Sequence, residues 1–115
     1  MSKLEIKENL RKYALVDECP VRNIISRFSG KWSMLILCIL AENPATRFNA
    51  IAGAIPDISP KVLSSNLKML EEDHLVKREV FPEVPPRVEY SLTPKGRSLM
   101  PHITALIAWA LDNRP

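Results

Sequence analysis

Ile58-Ser59-Pro60-Lys61-Val62-Leu63-Ser64-Ser65-Asn66-Leu67-Lys68-Met69-Leu70-Glu71-Glu72-Asp73 is the stretch on which the reading of this chain turns. Ser59 followed by Pro60 marks a helix start. A serine hydroxyl accepts from an orphan N–H of the first turn, and proline at the first helical position lacks only an N–H that the helix does not use. Leu63, Leu67 and Leu70 fall on one face with Val62 beside them, while Lys61, Ser64, Ser65 and Lys68 recur on another at i, i+3, i+4 and i+7. Such a helix is held by its leucines and turns hydroxyl and ammonium groups outward. No acid lies between Ser59 and Met69, and Glu71, Glu72 and Asp73 follow at once. Three carboxylates against the negative end of the helix dipole are mildly unfavourable, which suits an end left in solvent.

Toward the amino terminus, Phe48, Ile51, Ala52 and Ile55 predict a helix over 47–55, with Thr46 as its cap. Ile55 precedes Pro56, so the chain must turn between the two helices. Upstream, Lys31 to Glu42 carries Trp32, Met34, Leu35, Ile36, Leu37, Cys38, Ile39 and Leu40. A helix apolar nearly all round is expected to be buried nearly all round, as the central helix of the fold. Asn43-Pro44 stops it, and Cys38 reads as inert core. Before it, Cys19-Pro20 opens a helical period of Val21, Ile24, Ile25 and Phe28, closed by Ser29-Gly30. Residues 1–18 form an amino-terminal arm of mixed charge and thin hydrophobicity (Leu4, Ile6, Leu10, Tyr13, Leu15), either amphipathic or frayed.

Beyond His74 the period changes to two. Val76, Arg78 and Val80 alternate with Lys77, Glu79 and Phe81; Arg87 to Leu92 alternates again through Val88 and Tyr90. Pro82-Glu83-Val84-Pro85-Pro86 between them cannot stay in a sheet, because proline donates no ladder hydrogen bond. Two short strands with a proline-rich tip make a hairpin. Thr93-Pro94 restarts a helix with Leu99, Ile103, Leu106, Ile107 and Ala110 on one face and Trp109 and Leu111 beside it. Pro101 within it predicts a kink, or a cost of about 3 kcal/mol.

The chain's 115 residues correspond to one domain, and 46% hydrophobic with 25% charged residues excludes a disordered chain. The longest apolar run, Met34 to Ala41, falls far short of the roughly 20 residues of a spanning helix. Charges at Lys3, Glu5, Lys7, Glu8, Arg11 and Lys12 interrupt any signal-peptide core, and two cysteines imply no disulfide framework. The expected location is the cytoplasm, with no membrane partner. A net charge of +3 permits a polyanionic partner without requiring one. No Cys/His cluster has zinc spacing, no glycine-rich loop can cradle phosphate and no Ser/His/Asp set presents itself, so neither metal, cofactor nor catalysis is expected.

Four helices, a β-hairpin and a final helix, with a short turn between the third and fourth helices, make a mainly α fold with a small β-hairpin: a winged helix-turn-helix. A helix of about 10–12 Å diameter fits the major groove of B-DNA, and a hairpin beside it reaches phosphates or the minor groove. Cys19-Pro20, Gly30-Lys31-Trp32, Arg47-Phe48-Asn49, the stretch from Ile58 to Val76 and the run Phe81-Pro82-Glu83-Val84-Pro85-Pro86-Arg87-Val88-Glu89-Tyr90-Ser91-Leu92-Thr93-Pro94-Lys95-Gly96 together resemble the HxlR-type winged-helix transcriptional regulators, relatives in architecture of the MarR-type proteins. The resemblance spans about Cys19 to Trp109. It implies a homodimeric, DNA-binding regulator. The family often carries glycine where this chain has His74, and glutamine-like residues near Ser65 and Asn66, so base preference is not transferred.

The expected DNA-contacting residues are Arg47, Ser59, Lys61, Ser64, Ser65, Asn66, Lys68, Lys77, Arg78 and Arg87. Lysines neutralise phosphates, and hydroxyls and amides bond base edges or backbone oxygens. Arg87 past the stiff Pro85-Pro86 could grip the duplex, or instead pair with Glu83 or Glu89. Residues 19–113 form the domain, its last helix serving dimerisation. The expected dimer surface is Val21, Ile24, Ile25 and Phe28 with Leu99, Ile103, Leu106, Ile107 and Trp109. Cys19, at a helix start with Arg22 nearby, is either a reactive thiol or a small buried hydrophobe; the resemblance adds that some family members sense oxidants or electrophiles through a cysteine at this place. A small molecule or an oxidant is thus open as effector. Two other readings are a winged helix used only for protein interaction, which calls for an apolar outward face on the Ser59 helix, and a thiol enzyme built on Cys19, which lacks a partner histidine or second cysteine.

Overall fold

The computed structural model describes residues 2–13 and 19–115, without the side chains at 9, 10, 12 and 13; Leu15 of the expected arm, and the apolar roles of Leu10 and Tyr13, lie outside the described residues. Two compact units are present, Met1–Gly30 and Lys31–Pro115. The first holds α1 (Lys3–Tyr13), a turn wound as π-helix over Val21–Ile25, and α2 (Ser26–Phe28). Leu4, Ile6, Val21, Ile24 and Ile25 are exposed, Phe28 is half-buried and Cys19 is buried. The Asn23 amide donates to the Cys19 carbonyl at 2.9 Å, which starts the helical winding where Cys19-Pro20 predicts it.

The second unit contains α3 (Ser33–Glu42), α4 (Phe48–Ala54), α5 (Pro60–Glu72), β1 (Val76–Phe81), β2 (Arg87–Leu92) and α6 (Pro94–Asp112). α3 touches α4, α5, α6 and β2, the central place its composition demands. The core joins Ile36, Leu37 and Leu40 of α3 to Ile51, to Leu63, Leu67 and Leu70, and to Val76, Leu92 and Ile103. Burial is not all round, however. Leu35 is 47% exposed, and Met34, Cys38 and Ile39 are half-buried, because the neighbouring elements leave one side of α3 uncovered. That side lines an open cleft of about 290 Å³ with Glu42 and the turn Ala54 to Asp57. Cys38 is therefore not deep core. Desolvation, reinforced by the Glu42 carboxylate, pushes its thiol above the ordinary value, so it stays protonated and a poor nucleophile.

Local chemistry fixes the element ends. The Ser59 hydroxyl accepts from the Val62 amide at 3.1 Å and Thr93 Oγ1 accepts from the Gly96 amide at 3.0 Å, both with proline in the first turn, as the sequence predicts. α5 leaves through His74 at φ 60, with the Leu75 amide donating to Leu70 O and the His74 amide to Glu71 O, each at 3.0 Å. This is a Schellman exit, in which glycine is the usual left-handed residue. Thr46 departs from expectation. It does not cap α4; its N–H and C=O pair with Tyr90 at 2.9 and 2.8 Å, adding a third short rung to the hairpin. Arg47 stands at the α4 start with no side-chain cap. α6 continues through Pro101, which is exposed; lacking an N–H, Pro101 cannot donate to the Arg97 carbonyl one turn back.

α6 meets the hairpin at Gly96, which is buried. A Cβ there would lie 2.2 Å from the Leu75 carbonyl oxygen and 3.3 Å from Leu92 Cδ2. Thr93 Oγ1 also donates to the His74 carbonyl at 2.6 Å, and Lys95 Nζ to the Asp73 carbonyl at 3.1 Å, tying the start of α6 to the exit of α5. Gly96→Ala is expected to lower unfolding free energy by at least about 2 kcal/mol in urea denaturation, since backbone blocks the new methyl. Gly53→Ala, with nothing within 4 Å of the added carbon, should raise it by about 0.4–1 kcal/mol.

Candidate nucleic-acid interface

Packing settles how α5 is turned about its own axis. Leu63, Leu67 and Leu70 are fully buried, and α5 rests on α3 and β1. Ser59, Lys61, Ser64, Ser65 and Lys68 are exposed, as the leucine spacing requires. Among the described residues no ion pair engages Lys61 or Lys68. The serines differ in what they have to offer. Ser59 accepts from the Val62 amide and Ser65 donates to the Val62 carbonyl at 3.1 Å, whereas Ser64 makes no hydrogen bond among the described residues. No large apolar side chain interrupts this face, so the feature that a pure protein-interaction surface calls for is missing.

Asn66 corrects the expectation. Its Oδ1 accepts from the Ser33 hydroxyl at 3.0 Å and its Nδ2 donates to the Val62 carbonyl at 2.8 Å. At 3.6 residues per turn, Asn66 lies about 140° around the helix from Lys61, nearer to Leu70 than to Lys68. It therefore faces α3 and bridges the first turn of that helix to α5. Ser33 is 1% exposed, and a hydroxyl so placed needs a partner.

The hairpin pairs antiparallel from Val76↔Leu92 to Phe81↔Arg87. One face grades from core to solvent: Val76 and Leu92 are buried, Arg78 and Tyr90 come next, and Val80 is 50% exposed. Arg78 and Tyr90 meet Ser64, Leu67, Lys68 and Glu71 around a cleft of about 260 Å³ between hairpin and α5. The other face carries Glu79 directly opposite Glu89, a like-charge pair that opposes strand pairing. Lys77 lies 3.8 Å from Glu79, and Arg87 lies 3.4 Å from both Glu83 and Glu89 with its guanidinium 4.1 Å from the Phe81 ring centroid. Arg87 is thus committed inside the wing, and of the two readings open for it the pairing with both glutamates is the one present. Its Nε is buried and the 3.4 Å approach to Glu89 is an ion pair rather than a hydrogen bond. Lys77 and Arg78 remain exposed, as does Arg47.

Of the expected dimer residues on α6, Leu106, Ile107 and Trp109 are exposed and Leu99 is half-buried. Ile103 is 2% exposed, packed within its own protomer, so it is core rather than a free surface residue. Glu71, expected at a solvent-facing helix end, is half-buried at the cleft, and Tyr90, expected only as a strand residue, joins it there; the packing of the hairpin against α5 brings the two together. Among the described residues no three His, Cys, Asp or Glu side chains gather to hold a metal, and no single helix is long and apolar enough to cross a membrane.

A leucine-anchored helix with a polar outer face, a helix before it across a short turn and a hairpin after it define a winged helix-turn-helix. Residues 27–115 match the family described as HxlR-like helix-turn-helix, and the chain belongs to that family. It is 41% identical over 114 residues to an uncharacterised HTH-type transcriptional regulator of Halalkalibacterium halodurans, covering 99% of this chain and 98% of that one. It is 35% identical over 116 residues to the HTH-type regulator YtfH of Escherichia coli, covering 100% and 91%. Among solved structures it is similar to the redox regulator HypR in its oxidised form, at TM-score 0.78 and 37% identity over 84% of this chain and 99% of that one. Reduced YodB of B. subtilis aligns at TM-score 0.70 and 38% identity over 77% and 86%.

Asn66→Ala is expected to cost about 1–3 kcal/mol of stability, by stranding the buried Ser33 hydroxyl. Adding Ser33→Ala should recover part of that loss; a strictly additive double mutant in urea denaturation would show the two residues to be uncoupled.

Proposed function

We propose that this chain is a sequence-specific, double-stranded-DNA-binding transcriptional regulator that acts as a homodimer in the cytoplasm, and not an enzyme. One observation carries the reading: the exposed, acid-free run of Ser59, Lys61, Ser64, Ser65 and Lys68 on a helix whose opposite face is fully buried. Relatives named as HTH-type transcriptional regulators support it. Lys61 and Lys68 neutralise phosphates, Ser64 and Ser65 approach base edges, and Arg47, Ser59, Lys77 and Arg78 flank them on the backbone. Asn66 is left out of this set because its amide turns toward α3 and is taken up by Ser33 and the Val62 carbonyl, and Arg87 because Glu83, Glu89 and the Phe81 ring together hold its guanidinium.

Dimerisation follows from scale. One recognition helix reads few base pairs, and two related by a two-fold axis read half-sites about 34–36 Å apart, or a multiple of that. Leu106 (55% exposed) and Trp109 (64%) on α6, and Ile24 (61%) in the first unit, are apolar surface for a second copy to cover. Residues 1–18 serve as an arm and 19–113 as the domain.

Lys61→Ala and Lys68→Ala are each expected to weaken duplex binding on all sequences and to lower the log K against log salt slope by about one unit. The test is a titration against the promoter upstream of the chain's own coding region at two salt concentrations. Unchanged affinity and slope in both variants would remove α5 from the interface.

A second component concerns Cys19. It is a free, buried thiol at a helix start, and solved relatives include a redox regulator and a diamide-treated form of YodB. We infer that oxidation or alkylation of Cys19 alters DNA affinity by shifting the separation of the two recognition helices. Diamide should change the binding constant of the wild type and not that of Cys19→Ser; equal responses of the two would dismiss the thiol as sensor.

A further inference from the structure

The cleft between α5 and the hairpin has a composition that the outward face of α5 alone does not explain. The α5 residues lining it, Ser64, Leu67, Lys68 and Glu71, follow i, i+3, i+4 and i+7, a stripe turned toward the hairpin. Across it stand Arg78 and Tyr90, which are register partners and so project to the same face of the hairpin. Tyr90 is rigidly placed. Its strand pairs with β1 on one side, and its own N–H and C=O pair with Thr46 at 2.8 and 2.9 Å on the other. The cleft thus holds two cations, two hydroxyls and one carboxylate, and among the described residues no ion pair joins Glu71 to Lys68 or Arg78.

The geometry points to a seat for one backbone phosphodiester of the DNA, formed by Lys68, Arg78, Tyr90 and Ser64 and weakened on purpose by Glu71. This rests on the DNA-binding reading and assigns part of it. A phosphodiester carries one charge and accepts from several donors, which matches a guanidinium, an ammonium and two hydroxyls converging from two elements. Because the donors come from both α5 and the hairpin, the seated phosphate fixes the wing against the recognition helix and sets its register without reading sequence. Glu71 repels the same phosphate. Its presence lowers affinity on every sequence alike, which limits binding to non-specific DNA and leaves discrimination to the base contacts.

Fluorescence-anisotropy titrations of the full chain with a mixed-sequence duplex, over a range of potassium chloride, test the assignment. Arg78→Ala is expected to reduce the salt slope by about 0.9 and Arg78→Lys to restore it. Tyr90→Phe should weaken binding about two- to tenfold with the slope unchanged, as for loss of a neutral donor. Glu71→Gln should tighten binding about three- to tenfold, most at low salt. Lys61→Ala, outside the cleft, reports on the DNA-binding reading itself. If it weakens binding while Arg78→Ala and Glu71→Gln bind as wild type, the seat is refuted and the reading stands; if all three are silent, both fall. Inorganic phosphate at matched ionic strength should displace the duplex no better than chloride, and stronger displacement by phosphate would assign the cleft to a free anion instead.

Discussion

Everything in the larger unit depends on the contact between α3 and α5. Ile36, Leu37 and Leu40 on one side and Leu63, Leu67 and Leu70 on the other are all essentially removed from water, and each such side chain contributes about 1.5–3 kcal/mol relative to exposure. This contact fixes which way α5 is turned about its own axis. The hydrogen bond from Ser33 to Asn66 adds a directional lock to a non-directional apolar contact, since a rotation of α5 that kept its leucines roughly buried would still break it. The polar face is outward because the apolar face has been spent on the core.

The hairpin follows from how α5 ends. The left-handed His74 reverses the chain, Leu75 packs beneath it, and Thr93 binds the His74 carbonyl while capping α6. Three elements therefore share one junction, and Gly96 is there because the Leu75 carbonyl occupies the space of a side chain. Within the hairpin, Glu79 faces Glu89, and Lys77 and Arg87 supply the compensating charge. A wing with equal numbers of lysine-or-arginine and glutamate side chains would attract DNA poorly as a whole. In the proposed reading its attraction is concentrated along the face that Arg78 and Tyr90 share with α5, with Lys77 as a flanking charge on the other face.

The elements of the larger unit were legible because each was announced by local chemistry. Ser59-Pro60 and Thr93-Pro94 are caps whose geometry needs only neighbouring residues, and the period-two pattern on either side of Pro82 to Pro86 has no helical alternative. Thr46 misled for the same reason: a threonine before a helix looks like a cap until a distant strand claims its backbone. Arg87 also read two ways, and the folded hairpin brings it to Glu83, Glu89 and the Phe81 ring, partners that residue order alone only offered as possibilities. The extent of α3's exposed seam at Leu35 was hidden because an apolar sequence states what must be covered somewhere, not what covers it.

By itself, then, the chain's order of residues determined helix starts and stops, the two-faced character of α5, the hairpin and its tip, and the resemblance that places it among winged-helix regulators. These are contacts over a few residues, encoded in spacing and side-chain type. Only the tertiary structure decided that Asn66 turns inward to Ser33, that Ile103 belongs to the protomer's own core, and that Tyr90 and Glu71 join Ser64, Lys68 and Arg78 around one cleft. Those relations join residues far apart in the chain, and their distances are set by how the α3–α5 contact and the strand register close the fold, which no local pattern carries.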